Sequence, residues 1–492
     1  MTQKSTTLEG WNNKVSQSPL FMGGAVLLGI LLGIWGFIYP SYLTLIIPAL
    51  LIGLTVLLIR PDWAYLLAVA SLPVLGLYYV IPVSSKGIPV AVYPLYILII
   101  PTLAGWFLWR CARLAPSARP SGCEGPLFCL GGLTAISLLW APVHNFSRWQ
   151  VLMLFVNMSI FLSAGFYIQD RKMISKVFNV LVVMGVVASL FALLSKFIGY
   201  HSESLFPETG QTFMAILYTG IASPGQNGST GMSGRAGGLD IHNHIATYLN
   251  FYIFLTFALF WNQKDRNRRI FLGSSLGLML VAHLMTYSRG GLLGLMGGIF
   301  VFMLLQPEFR NNFIKYSSYA FIVLVVLFIL IYGKNFGQAL QRITAVFGET
   351  GVSGTSSRKE IWLDGFKLLK ESPLLGAGIG GFRTIYHHPH AHNIYFSVLF
   401  DLGLIGFMIL GWFISRLVRI VHLSLATIRQ AEDLMMARAF TGALVAFSIH
   451  ALVDFDFTWV QFIWGILGIG LAMLRLSREE ATSSPFNDSP AN

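Results

Sequence analysis

The chain has 492 residues, of which 55% are hydrophobic and only 11% charged, and its mean hydropathy is +0.67. Soluble globular domains carry about 25% charged residues, so a soluble protein is excluded; repeated apolar runs of spanning length require a polytopic membrane protein. The net charge of +12 is spread over short loops rather than gathered in a patch, which excludes nucleic acid as a partner.

The apolar runs are continuous rather than alternating, so they are expected to be helices, not barrel strands. A polar stretch, 1–19, comes first and carries no cleavage-site pattern, so it reads as a cytoplasmic tail. Runs of spanning length follow at about 20–38, 41–59, 63–83, 90–110, 126–141, 150–168, 177–195, 243–262, 270–287, 291–306, 317–333, 393–414, 439–453 and 457–474. They predict an all-α protein with 12–14 transmembrane helices in one domain over 20–475, followed by a Ser/Pro-rich cytoplasmic tail at 476–492 that is expected to be disordered. Cys111, Cys123 and Cys129 lie in or beside one basic loop, without metal-ligand spacing, and no disulfide is expected there.

Lys and Arg set the orientation. With the N-terminus inside, 21 of the 33 fall on inner segments and 3 (Lys86, Arg148, Arg289) on short outer loops; the other 9 belong to two long outer loops, about 196–242 and 334–391, where the rule has little force. Both termini are then cytoplasmic, and the polar motifs of the second half face outward.

Arg235 stands in a Gly-rich loop, Ser233-Gly234-Arg235-Ala236-Gly237-Gly238, ahead of His242 and His244. It is either an ordinary loop arginine or an oxyanion ligand. The two histidines are two positions apart, on different faces of a helix, so a shared metal is not expected. Arg289, in Thr286-Tyr287-Ser288-Arg289-Gly290-Gly291, is either a snorkelling anchor or an anion ligand beside the free N–H groups of a helix start. Residues Ser357 to Leu369 read as an amphipathic helix on the outer leaflet, with Ile361, Gly365, Leu368 and Leu369 on its apolar face, a pattern that simple membrane packing also explains. Gly376 to Gly381 resembles a phosphate loop, but no strand precedes it, and a tight re-entrant turn is the expectation.

Four histidines fall in the six positions His387 to His392, at the mouth of an apolar helix. His388, His390 and His392 alternate, which in an extended segment would put them on one face. No cysteine or carboxylate lies nearby in sequence to complete a zinc set, so a catalytic base with neighbours is preferred to a metal site. His392 precedes Asn393 at the helix start, a station suited to a general base acting on a hydroxyl. Asp454, with Asp456, sits between the last two runs and could hold an arginine of the site or line a hydrated turn. Asp401 lies within a span and needs a buried partner.

In order, Ser288-Arg289-Gly290-Gly291, Arg358-x-x-x-Trp362, Ser372-Pro373-Leu374-Leu375-Gly376-x-Gly378, His390-Ala391-His392-Asn393-x-Tyr395 and Gly403-Leu404-x-Gly406 resemble the O-antigen ligase / O-antigen polymerase superfamily, over about 230–475. Asp401 stands where the resemblance leads one to expect a glutamate. It implies a GT-C-like membrane fold and a metal-independent, inverting glycosyltransferase without cofactor, in the bacterial inner membrane, with its active site on the periplasmic face. The implied donor is a glycan on undecaprenyl diphosphate. The implied acceptor is lipid A–core for a ligase, or a second lipid-linked glycan for a polymerase, and the sequence does not separate the two. Carried over by motif, Arg235 and Arg289 bind the diphosphate and His392 is the base, with His390, Asn393, Arg358, Tyr395 and Asp454 in support. The reading from another class is a small-solute transporter, for bicarbonate for example. It would place polar groups at the midplane, where only His283, Asp401 and His450 look deep.

Overall fold

The computed structural model describes residues 53–74, 79–81, 90–92, 94–112, 117–198, 242–307, 358–386, 390–458 and 460–483, with Asn312 and Lys315. The helices are α1 (Gly53–Ile59), α2 (Pro61–Ala70), α3 (Pro94–Cys111), α4 (Glu124–Ile136), α5 (His144–Tyr167), α6 (Arg171–Ile198), α7 (His242–Asn262), α8 (Arg266–Met285), α9 (Arg289–Leu305), α10 (Arg358–Glu371), α11 (Gly381–Tyr386), α12 (Ile394–Thr427), α13 (Ala431–His450) and α14 (Gln461–Ser483). The protein is thus an all-α polytopic membrane protein, as its composition requires. Among the described residues, five helices (α3, α5, α6, α7 and α12) are long and apolar enough to cross a bilayer, and the bent pair α1–α2 makes a sixth. The tail 1–19, the runs 20–38 and 317–333 and most of 41–59 lie outside the described residues.

Two local expectations give way. The run 63–83 is not one span: α2 stops at Ala70, and Tyr79–Ile81 (β1) pairs antiparallel with Val90–Val92 (β2). Pro73 follows the end of α2, and the residue before a proline is pushed out of the helical region. At the other end, Pro61 cannot donate to the preceding turn, and α2 bends 112° from α1 there. The tail expected from 476 stays helical to Ser483, because its acidic residues have partners. Glu480 pairs with Arg171, and Glu479 with Arg119 at 2.7 Å.

Close helix contacts use small residues, as is usual where lipid supplies no hydrophobic drive between helices. A Cβ on Gly294 or Gly298 of α9 would run into the Ala446 and Gly442 carbonyls of α13. Helix α7 spans the bundle between two polar clusters. At its start Asn243 donates to Asp454, and at its end Asn262 Nδ2 donates to the Glu432 carbonyl at 3.1 Å, beside the Arg171–Asp433–Glu480 ion-pair group. At 21 residues the helix holds the clusters about 30 Å apart.

The amphipathic reading of α10 holds: Ile361, Gly365 and Leu368 are buried against α12 in a small separate core with Phe382 and Phe400. Helix α12 is broken at Gly403 (φ 64°, ψ −164°). The amides freed there are taken up by the Pro373–Gly381 turn. Leu404 N–H donates to the Pro373 carbonyl at 2.9 Å and Ala377 N–H to the Phe400 carbonyl at 3.0 Å. Only glycine adopts that backbone conformation freely, and a Cβ would meet the Leu374 carbonyl. Gly403→Ala is therefore expected to destabilise the fold by about 1–3 kcal/mol or more, seen as a lower thermal midpoint in detergent.

Candidate functional site

The site is assembled from helix ends. Asn393 caps α12, its Oδ1 accepting from the N–H groups of Tyr395 and Phe396 at 3.0 Å each. Its Nδ2 donates to the Leu452 carbonyl at 2.9 Å, and Ile394 N–H donates to the Ala451 carbonyl at 3.0 Å, so the start of α12 is tied to the loop after α13. Trp362 of α10 donates from Nε1 to the Ala391 carbonyl at 2.8 Å. His390-Ala391-His392 is thereby held from both sides, and His392 adopts φ 49°, in the left-handed region.

Asp454 is the centre. One carboxylate oxygen, Oδ1, faces His390 Nε2 and His392 Nδ1, each at 3.3 Å; the other accepts from Asn243 Nδ2. Sequence reasoning offered Asp454 as an anchor for an arginine; it instead holds two imidazoles and an amide. It also supplies in space the carboxylate that the histidine cluster lacks in sequence. Burial alone would raise the Asp454 carboxyl, but the hydrogen bond to His392, then His244 and His390, hold it well below the usual carboxylate range. Burial, and then the neighbouring His392, push His390 down to about 4, so its ring is neutral near pH 7. The two imidazoles lie with ring centroids 3.8 Å apart, and their side chains are 24% and 28% exposed.

Arg289 begins α9, capped by Ser288, whose Oγ accepts from Gly291 N–H at 3.2 Å. Gly290 leaves no room for a Cβ against His450 and Val453, the latter adjacent to Asp454. This brings the exposed Arg289 to the same end of the bundle as the His–Asp group. His450 accepts or donates at Nδ1 to Thr247 Oγ1, 2.7 Å away. Arg358, exposed at the start of α10, acts electrostatically on His450. Tyr395 lies in the first turn of α12, its hydroxyl donating to the Ser448 carbonyl at 3.4 Å. Arg235, His387 and His388 lie outside the described residues.

The glycine run forms a tight turn, with Gly376, Gly378 and Gly380 all at positive φ. Its N–H groups are already engaged by an internal carboxylate: Gly380 and Phe382 donate to the two oxygens of Asp401 at 2.9 and 3.0 Å. Asp401→Asn would turn an NH2 toward one of these donors, and a loss of about 1–3 kcal/mol is expected, measurable by thermal unfolding. Of the three deep polar residues, Asp401 is thus engaged by backbone donors and His450 by Thr247 Oγ1.

Several contributors escaped the sequence. Asn243 and His244 start α7 and reach Asp454 and Phe455, the His244 ring centroid lying 5.2 Å from that of Phe455. Arg383 of α11 stacks over Phe146 at 5.1 Å and its charge is felt at His390. Its place in the Gly380-Gly381-Phe382-Arg383 run was the available signal. A cavity of about 540 Å³ lies at the opposite end, lined by Arg119, Arg171, Lys172, Glu479 and Glu480, away from this chemistry. Chemically, the site offers an imidazole backed by a buried carboxylate, beside an exposed arginine at a helix start. That suits proton removal next to an anionic group.

Residues 274–411 match the family model described as O-antigen ligase. No curated protein matches the chain significantly.

Proposed function

We propose that this membrane protein, whose residues 274–411 match the O-antigen ligase family model, transfers a glycan from undecaprenyl diphosphate to a hydroxyl of lipid A–core, on the outer face of the bacterial inner membrane. The observation that carries the reading is the His392–Asp454 pair beside the Arg289 helix start. The excess of Lys and Arg on the opposite segments supports the outward orientation.

In the reaction, Asp454 accepts a hydrogen bond from His392 Nδ1–H, which fixes the tautomer and leaves Nε2 free as the base. Nε2 removes the proton of the acceptor hydroxyl, and the oxygen attacks C1 of the donor sugar from the face opposite the diphosphate. The C1–O bond breaks with its electron pair going to undecaprenyl diphosphate, and the configuration at C1 inverts. The imidazolium that forms is stabilised by the ionised Asp454. Arg289, with Arg235 from the Gly-rich stretch ahead of α7 in the sequence, neutralises the charge growing on the leaving group. His390, neutral and weakly basic, positions the pair. No step needs a metal or a cofactor.

The test uses purified protein in detergent, a lipid-linked glycan donor and EDTA, with lipid A–core and a second lipid-linked unit offered in separate tubes. Transfer to lipid A–core is the expected result. Growth of a chain on the second donor would make the protein a polymerase, and no transfer to either acceptor from folded protein would refute the reading.

A further inference from the structure

We propose that a transition-metal dication, zinc in the first instance, binds between His390, His392 and Asp454 and that its binding silences glycan transfer. The blocking half rests on the role proposed for His392; the binding half does not. The three groups each turn one ligand-capable atom toward the others, all within 4.8 Å. Both imidazole nitrogens lie 3.3 Å from the same oxygen, Asp454 Oδ1. A hydrogen bond between an ionised carboxylate and a ring N–H is usually shorter, about 2.7–2.9 Å when charge-assisted. Zinc bonded tetrahedrally at about 2.0–2.2 Å sets its ligand atoms about 3.3–3.5 Å apart. The spacing is that of two edges of a zinc tetrahedron, with the fourth corner left for water.

The ligand set is also braced as metal sites are. The second oxygen of Asp454 accepts from Asn243, Phe455 N–H donates to Oδ1 at 2.9 Å, and Trp362 holds the carbonyl between the two histidines. Imidazole with a carboxylate suits zinc, copper or nickel, and not the harder calcium or magnesium ions. The histidines are partly exposed while Asp454 is 6% exposed, so an ion can enter from the aqueous side and meet a buried anion. Once bound at His392 Nδ1, it leaves the ring proton on Nε2, so that Nε2 can no longer accept one, and it cancels the negative charge of Asp454. The base then loses the group that orients it and the charge that stabilises its protonated form.

The experiment titrates zinc into EDTA-treated, dialysed full-length protein without a polyhistidine tag, against a chromophoric zinc indicator, with magnesium as the control ion. Wild type, Asp454→Asn and His390→Gln are compared, each with its thermal midpoint recorded. One zinc per chain, weakened at least about tenfold in both variants while their midpoints show them still folded, is the expected result, with no response to magnesium. Equal binding in all three proteins, or none in the wild type, would overturn the site. Transfer should fall along the same zinc titration. Zinc binding without loss of transfer, or transfer that EDTA abolishes, would overturn the silencing. Binding as expected in a protein that transfers no glycan even without metal would instead refute the proposed function and leave the site standing.

Discussion

Asp454→Asn is expected to lower glycan transfer by about 10²–10⁴-fold while leaving the fold intact. Asparagine keeps the size and the link to Asn243. It loses the negative charge, and it can present an NH2 where His392 needs an acceptor. The imidazole is then free to adopt the tautomer with its proton on the wrong nitrogen, and the imidazolium has no counter-ion. Because the Asp454 carboxyl sits well below the usual carboxylate range, it is already ionised throughout the pH range in which the enzyme works. The loss should therefore be present across that range, and pH adjustment should not rescue it. Initial rates of transfer for wild type and variant between pH 6 and pH 8 give the check.

Arg289→Ala is expected to cost about 10²–10³-fold in transfer, with donor affinity and turnover both reduced. A guanidinium at a helix start meets a diphosphate with its own fork and with the positive end of the α9 dipole. Arg289→Lys keeps the charge and loses the bidentate geometry, so it should recover only part of the rate. Thermal midpoints recorded for both variants separate loss of a donor ligand from loss of the fold. An unfolded variant would show itself there, and a variant with full activity would remove Arg289 from the donor site.

The membrane class was legible because it depends on composition alone, and each described run from 90 onward holds a helix, though helix and run ends differ by up to 13 residues, as at the end of α12. The exceptions have local causes. Pro61 and Pro73 shorten α2, and Glu479 and Glu480 keep α14 helical past the apolar run through partners that are about 300 or more residues away. The site was legible in its parts. Histidines crowded at a helix mouth and an arginine between glycines stand out because neither has a packing reason to be there. Its joinery was not legible. His392 and Asp454 are separated by 62 positions, and Asn243 lies 211 from Asp454, so no spacing rule reaches them. Asp401 shows the same limit: its need for a partner follows from its depth, but the backbone donors of a glycine turn 19 and 21 positions away could be mistaken for a phosphate cradle.

The account stands on His392 and Asp454 acting as one unit. The direct test is a double-mutant cycle on transfer rate from a lipid-linked glycan, with His392→Ala, Asp454→Asn and the double variant measured under EDTA. If Asp454 works only by orienting and balancing His392, the double variant will be no slower than His392→Ala alone. Losses that multiply would show that the two residues act independently, and would contradict the account.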